Sequence, residues 1–368
     1  MSREQLRIII TGGGTGGHLF PGIAVAQEIK RRNPAACILF AGTGRAVDRE
    51  GLSRYGFEAR TMHCGALKGA GLMGILRTMG GLPMSLLEAL RLLREFKPAL
   101  VFGVGGYVTG PVIVAARLLG IPSAIHEQNS VPGLANRQLG RLVRRVFLSI
   151  PGSERYFRPR KCYFSGNPVR EEIIKAAAGP SSGEPVLLIL GGSQGAHRLN
   201  TLLPEAVSGI LAELPAGFRV IHQTGREDEL LSREAWKKLK VKAEVRAFFK
   251  DMARIYRPAS LVVSRAGATT LAELTVLGKA AVLIPFPFAA DNHQEKNGDY
   301  LVAAGAAEMF KEQDLSPAVL GRAMAAILNN NESRRRMEKQ ARQLARPGAA
   351  AAIVDECENL MVSRVNVS

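Results

Sequence analysis

Apolar runs of strand length alternate with stretches of helical period from one end of the chain to the other, the pattern of parallel sheets covered by helices. Residues 6–10, "LRIII", predict a first strand, and the glycine-rich "TGGGTGGHLFPG" of residues 11–22 leads from it into a helix. Residues 185–207, "PVLLILGGSQGAHRLNTLLPEAV", repeat the order of strand, glycine loop and helix. Each half carries a second such unit, "LVFGVGGYVTGPVIVAARLLGIP" in the first and "LVVSRAGATTLAELTVLGKAAVLIP" in the second. The pattern predicts an α/β fold of two Rossmann-like domains in tandem, their parallel sheets facing a central cleft. The joint is expected near "FSGNPVREEI", residues 164–173, with residues 1–167 as the first domain and 168–347 as the second. A helical stretch restarts after Pro347 and Gly348, and residues 348–368 are expected to cross back and complete the first domain.

The first glycine loop has three readings. Gly12, Gly14 and Gly17 satisfy G-x-G-x-x-G, yet a dinucleotide site needs an acid about 20 positions on for the ribose, and no Asp or Glu occurs between Ile29 and Val47. The same stretch fits the spacing of a Walker loop, but His18 and Leu19 stand where Lys and Ser/Thr would grip phosphate and magnesium. What remains is a sharply bent backbone whose N–H groups, at a helix start, attract an anionic or polar ligand. His18 is then expected at the rim of the loop. It serves there either as a general base, its charged form disfavoured by the helix N-terminus, or as a packed capping residue.

Three more stretches carry polar chemistry at predicted strand ends. "GGSQGA", residues 191–196, offers the Ser193 hydroxyl beside backbone amides, or is a plain strand-to-helix turn. "SRAGATTLAE", residues 264–273, places Arg265 at a strand end and Glu273 in the first turn of a helix. Glu273 suits the two hydroxyls of a ribose, or a capping box with Thr270. "HEQN", residues 126–129, and "DNHQ", residues 291–294, are polar clusters at the carboxyl ends of strands, where open parallel sheets bind ligands. No Asp-x-Asp occurs, so neither a metal site nor a metal-carried diphosphate is expected; helix ends and Arg170 of "GNPVR" would carry that charge.

Composition narrows the class further. The 368 residues are 46% hydrophobic, enough for a core in each of two domains. Cys37, Cys64, Cys162 and Cys357 lie far apart, which argues against a zinc site and a disulfide framework and for a reducing compartment. The N-terminus lacks the pattern of a signal peptide, and Arg117 interrupts the best apolar candidate, residues 111–125, so neither export nor a transmembrane helix is expected. A net charge of +17 attracts nucleic acid, anionic lipid or phosphorylated substrates. With 6% aromatic residues and no zinc-finger or recognition-helix pattern, nucleic acid is not the expected partner. Residues 71–98 interleave apolar side chains with Arg77, Arg91, Arg94 and Lys97, and residues 141–161 hold seven cations (Arg141, Arg144, Arg145, Arg155, Arg158, Arg160, Lys161) against Glu154. Such stretches suit an anionic membrane surface, or a helix packed on its own sheet.

Taken together, "GGTGGHLFPG", "GVGGYVTGP", "HEQNSVPGLANR", "GNPVR", "GGSQGAHRLN", "SRAGATTLAE" and "DNHQ" resemble, in order and spacing, one family: the MurG N-acetylglucosaminyltransferases of bacterial peptidoglycan synthesis, which have the GT-B glycosyltransferase fold. The resemblance covers nearly the whole chain. It implies inverting transfer of GlcNAc from UDP-GlcNAc to the MurNAc 4-hydroxyl of lipid I, making lipid II at the cytoplasmic face of the membrane, without a cofactor and alongside other cell-wall synthesis proteins. By the same resemblance Ser193 and Arg170 lie near the diphosphate and Glu273 on the ribose. Ala268, Thr269, Thr270, Leu271, Ala272 and Glu273 form a helix start at the nucleotide, Gln294 points toward the sugar, and the backbone of Phe249 meets uracil. Thr15, Gly16, Gly17 and Asn129 match donor contacts from the first domain. His18 matches the general base, with Glu127 as a second candidate, while Tyr107, His126, Asn136, Asn200 and Arg265 match other polar positions linked to activity. Phe249 replaces a smaller aliphatic residue, and some members have Gln at the position of His293. The rival readings are another GT-B enzyme, such as a UDP-GlcNAc 2-epimerase, and a basic nucleotide- or nucleic-acid-binding protein.

Overall fold

The protein was analysed as a computed structural model, which describes residues 5–63, 72–177, 184–192 and 195–365. It forms two compact units, Met1–Arg170 with Gly348–Ser368, and Glu171–Pro347. The strands of the first are β1 (Arg7–Gly12), β2 (Cys37–Gly42), β3 (Glu58–Thr61), β4 (Leu100–Gly105), β5 (Ser123–Glu127), β6 (Arg145–Leu148) and β7 (Cys162–Phe164). They lie in the order β3-β2-β1-β4-β5-β6-β7, every neighbouring pair parallel. The second unit holds β8 (Val186–Leu190), β9 (Arg219–Gln223), β10 (Lys242–Arg246), β11 (Leu261–Ser264), β12 (Ala281–Leu283) and β13 (Ala307–Met309). Their order, β10-β9-β8-β11-β12-β13, is the same doubly wound order, again all parallel. The expected α/β fold of two parallel-sheet domains is therefore present.

An unbroken apolar strand is what a sheet covered on both faces requires. In β1 the alternation of side chains sends Ile8 and Ile10 to one layer, with Ile23, Phe40 and Phe102, and sends Ile9 to the other, with Leu39, Val101 and Ile125. Full burial of each such side chain contributes roughly 1.5–3 kcal/mol. The covering helices are α1 (Gly16–Arg32), α2 (Ala46–Arg54), α3 (Leu72–Phe96), α4 (Thr109–Leu118) and α5 (Leu134–Leu142). The final helix, Ala349–Val365, lies against α1 and adds Ile353, Val354 and Cys357 to the first unit's core. Arg32 pairs there with Asp355 at 2.6 Å, and Arg145 with Glu356 at 2.9 Å. Such pairs are worth at most about 1 kcal/mol each, so the apolar contacts hold the helix in place.

In the second unit Leu187, Ile189, Val220, Leu261 and Val263 pack with Leu199, Leu202 and Leu203 of the helix His197–Ile210 and with Leu320 and Met324 of the helix Pro317–Asn329. Trp236, the only tryptophan, is 1% exposed in this core. Its indole N–H donates to His222 Nδ1 at 3.1 Å, and His222 Nε2 donates to Asn200 Oδ1 at 3.0 Å. An indole can only donate, so this pairing fixes the neutral tautomer. Burial drives the His222 imidazole down to a pKa of about 3, and the buried His126 of the first unit likewise. Because the folded-state pKa lies below the unfolded value, both histidines contribute stability that is complete above about pH 6.5 and lost as the pH falls toward 3. Urea unfolding followed by Trp236 emission is expected to lose about 1 kcal/mol per buried histidine between about pH 7.5 and 5.5, and His222→Gln to remove its own share of that decline. A parent protein with the same midpoint at both pH values contradicts this account.

Candidate active site

In a doubly wound sheet the ligand crevice opens at the carboxyl ends of the two strands where the order reverses. In the first unit these strands are β1 and β4. Their register slips by one residue between Thr11 and Gly12, so the backbone leaves the sheet as the glycine loop begins. Gly12 has φ +139°, and a Cβ there would strike the Gly105 carbonyl, so the loops after β1 and β4 are nested. Thr15 is the N-cap of α1, its carbonyl accepting from the amides of His18 and Leu19 at 3.2 and 3.0 Å. His18 stands half-buried in the first turn, its Nδ1 3.1 Å from Thr15 Oγ1. Its ring covers the backbone of Gly105, where an added Cβ would lie 2.8 Å from the imidazole. Tyr107 follows on the same turn and is 39% exposed. Not every loop amide is open to a ligand: the N–H of Gly14 donates to Asp48 at 2.8 Å.

The HEQN cluster stands at the carboxyl end of a strand, as expected, but half of it belongs to the strand itself: β5 runs through His126 and Glu127, whose side chains are bonded inward. His126 Nε2 lies 2.9 Å from Ser149 Oγ and 3.3 Å from the Gly166 carbonyl. Glu127, 1% exposed, accepts from the Asn129 backbone and side chain on one oxygen, at 3.0 and 3.2 Å, and from Asn136 Nδ2 on the other, at 2.8 Å. Desolvation pushes its carboxyl pKa up against the opposing effect of these amides. Gln128 Nε2 donates to the Val104 carbonyl at 2.8 Å and ties this loop to β4. His18 is close enough for its charge to disfavour protonation of His126. Thr15, His18, His126, Glu127, Asn129 and Asn136 thus belong to one end of one sheet. Arg170 is buried with its guanidinium 4.0 Å above the Phe20 ring of α1, a cation–π contact.

In the second unit the reversal lies between β8 and β11. Ser193 and Gln194 of the loop after β8 lie outside the described residues. Gln223, at the end of β9, joins two loops: its Nε2 donates to the Gly192 carbonyl at 3.2 Å and its Oε1 accepts from the Phe249 amide at 3.0 Å. Sequence reading missed Gln223, whose partners lie 31 and 26 positions away. Arg265 follows β11, paired at 2.6 Å with Glu312 and donating to the carbonyls of Ile284 and Pro285.

The helix after it, Ala268–Leu277, has Gly267 as its N-cap with no side-chain cap. Glu273 therefore stands in the second turn, not the first, and Thr270 lies inside the helix, so the two make no capping box. Glu273 is instead buried and accepts from the Tyr256 hydroxyl at 3.0 Å. Ala268, Thr269, Leu271 and Glu273 are buried and Thr270 and Ala272 half-buried. Gln294, second residue of the helix His293–Ala303, accepts from the Phe286 amide at 2.9 Å, and His293 Nδ1 lies 2.7 Å from the Ala290 carbonyl. Asn200 belongs to a separate buried network with Thr224, Asp228 and His222. Among the described residues no three His, Cys, Asp or Glu side chains group as a metal site.

Residues 8–148 match the glycosyltransferase family 28 N-terminal domain, and residues 186–353 its C-terminal domain. The UDP-N-acetylglucosamine--N-acetylmuramyl-(pentapeptide) pyrophosphoryl-undecaprenol N-acetylglucosamine transferase of Desulfotalea psychrophila is 50% identical, over 97% of this chain and 98% of its own. The crystal structure of Acinetobacter baumannii MurG superposes with a TM-score of 0.76 at 30% identity, over 96% of this chain and 99% of that one. A UDP-GlcNAc 2-epimerase from Neisseria meningitidis superposes at 0.66 with 15% identity, over 95% and 99%, a likeness of fold alone. With half its residues shared along nearly its whole length, the chain belongs to the MurG family of glycosyltransferase family 28.

Proposed function

We propose that this protein transfers GlcNAc from UDP-GlcNAc to the 4-hydroxyl of the MurNAc residue of lipid I, forming the β(1→4)-linked disaccharide of lipid II. The observation that carries this reading is the 50% identity, end to end, with a transferase of that printed name. The acceptor oxygen forms a bond to the anomeric carbon on the face opposite the nucleotide, the carbon–oxygen bond to UDP breaks with its electron pair leaving on the diphosphate, and the configuration inverts. His18 takes the proton of the acceptor hydroxyl. Thr15 orients its imidazole, and Gly16, Gly17 and Asn129 bound the same loop end. Tyr107 lies beside them as an acceptor contact.

On the donor side, Tyr256 aims the Glu273 carboxylate, which accepts the ribose hydroxyls. The start of the helix Ala268–Leu277, which has no acid in its first turn, favours the diphosphate, together with Ser193 and Arg170. Because the Phe249 amide is held by Gln223, its carbonyl is the group that meets uracil. Gln294 reaches the sugar.

UDP release with UDP-GlcNAc and a lipid I analogue tests this function, with and without EDTA, and turnover is expected in both. An epimerised sugar formed from UDP-GlcNAc alone would instead favour the 2-epimerase reading. In the same assay Glu273→Ala is expected to raise the donor KM about tenfold or more with kcat within about threefold. An unchanged KM removes Glu273 from the nucleotide site.

We also place the first unit on an anionic membrane face as a peripheral protein. Among the described residues no helix is long and apolar enough to cross a membrane. Arg117, Arg141, Arg144 and Lys161 line a cavity of about 390 Å³ at the amino end of β5. Lys161 caps α5 by donating to the carbonyls of Gly140, Arg141 and Val143, and burial with the charges of Arg158 and Arg117 lowers its pKa. Exposed Leu118 and Leu142 flank the cations, and α3, packed on α4, exposes Met84 and Leu87; Arg77 lies outside the described side chains. At about 1 kcal/mol per cation near a charged leaflet, Arg141→Glu with Arg144→Glu should weaken sedimentation with phosphatidylglycerol vesicles by about tenfold or more. Equal binding to neutral vesicles defeats the proposal.

A further inference from the structure

Asp48 is the first acid after Glu28, it belongs to none of the motifs, and it is 3% exposed. As the third residue of α2 it points not to solvent but back onto the glycine loop. Its Oδ1 accepts the N–H of Gly14 at 2.8 Å and its Oδ2 accepts the hydroxyl of Thr43 at 2.7 Å. A Cβ on Gly13 would lie 2.8 Å from the same carboxylate, so the loop is seated directly on it. The stack continues on the other side. A Cβ on Gly106 would meet the Gly13 carbonyl at 3.1 Å, and the neighbouring Gly105 lies under the His18 ring. Carboxylate, first glycine loop, second glycine loop and imidazole are thus packed in sequence, the two loops meeting backbone to backbone where Gly12 faces Gly105 and Gly13 faces Gly106.

A dinucleotide-binding fold keeps an acid after its second strand to receive a ribose. Here the acid that follows β2 has both oxygens committed to protein donors, and its charge strengthens both bonds. We propose that Asp48 is a positioning residue for the transfer reaction: it fixes Gly13 and Gly14 in the register that presents Thr15, Gly16, Gly17 and His18. The inference rests on the transferase function and on His18 as the base, which is tested by its own variant.

The experiment is steady-state transfer by Asp48→Ala and Asp48→Asn, with folded fraction and Tm measured on the same preparations. Asp48→Ala removes both acceptors and is expected to lower kcat per folded molecule by about 10- to 100-fold, the scale of a misplaced catalytic group, with donor KM within about threefold. Asp48→Asn keeps an acceptor for Gly14 and sets its NH₂ against the Thr43 oxygen, and should recover kcat to within about threefold of the parent. A Tm that falls in Asp48→Ala while kcat per folded molecule stays put means the residue only stabilises the fold, and overturns the proposal. So does an asparagine variant as slow as the alanine one. Where Asp48→Ala does not fold, Thr43→Val takes its place, with a severalfold fall in kcat expected and an unchanged kcat decisive against. A normal kcat in His18→Ala beside a slow Asp48→Ala removes the base and leaves the positioning role with the loop amides. The reverse pattern removes Asp48 alone.

Discussion

His18→Ala is expected to lower kcat by about 10²- to 10⁴-fold, the usual contribution of a positioned general base, with the apparent KM for UDP-GlcNAc changed by less than about threefold. Two other groups at the same sheet end have different surroundings. His126 is fully buried with a pKa near 3, so at neutral pH it does not take up a proton. Glu127 is buried with both oxygens accepting from Asn129 and Asn136. His18 is half-buried, and when its Nδ1–H donates to Thr15 Oγ1, Nε2 is left as the acceptor. Thr15→Val should accordingly retain binding and lose part of the rate. Unaltered turnover in His18→Ala removes the residue from the chemistry.

Glu127→Ala is expected to act through stability instead. It strips the acceptor from the Asn136 amide and from both donors of Asn129. One buried unsatisfied donor costs about 1–3 kcal/mol, so a loss of about 3 kcal/mol and a Tm fall of about 5–10 °C should follow. Turnover should fall with it, because the loop of residues 128–133 loses its tie to α5. Glu127→Gln separates this from proton transfer. As a tie it tolerates the amide in part, losing stability and rate together; as a base it would lose nearly all its rate at an unchanged Tm.

The fold was legible where burial is complete. Residues 6–10 read as a strand because a sheet covered on both sides leaves them almost no polar face, and the repeated unit of strand, glycine loop and helix announced the two sheets. Polar positions were read less well. His126 and Glu127 look like a loop to any rule that equates polar with exposed, yet they finish a buried strand because Ser149, Gly166 and Asn136 meet them inside. Thr270 and Glu273 have the spacing of a capping box. The helix has already begun at Ala268, and Tyr256, 17 residues before Glu273, holds the carboxylate inside. Asp48 and Gln223 left no local signal, since their partners, Gly14, Gly192 and Phe249, are brought near only by the packing of neighbouring strands.

The closing helix has a consequence for how the protein is made. Ile353, Val354 and Cys357 belong to the core that β1 begins. Synthesis therefore delivers the first sheet with an uncovered greasy flank along α1, and that flank stays open until the segment around residue 357 has left the ribosome. A premature stop ahead of residue 349 would be felt some three hundred residues upstream, in the packing of the first sheet.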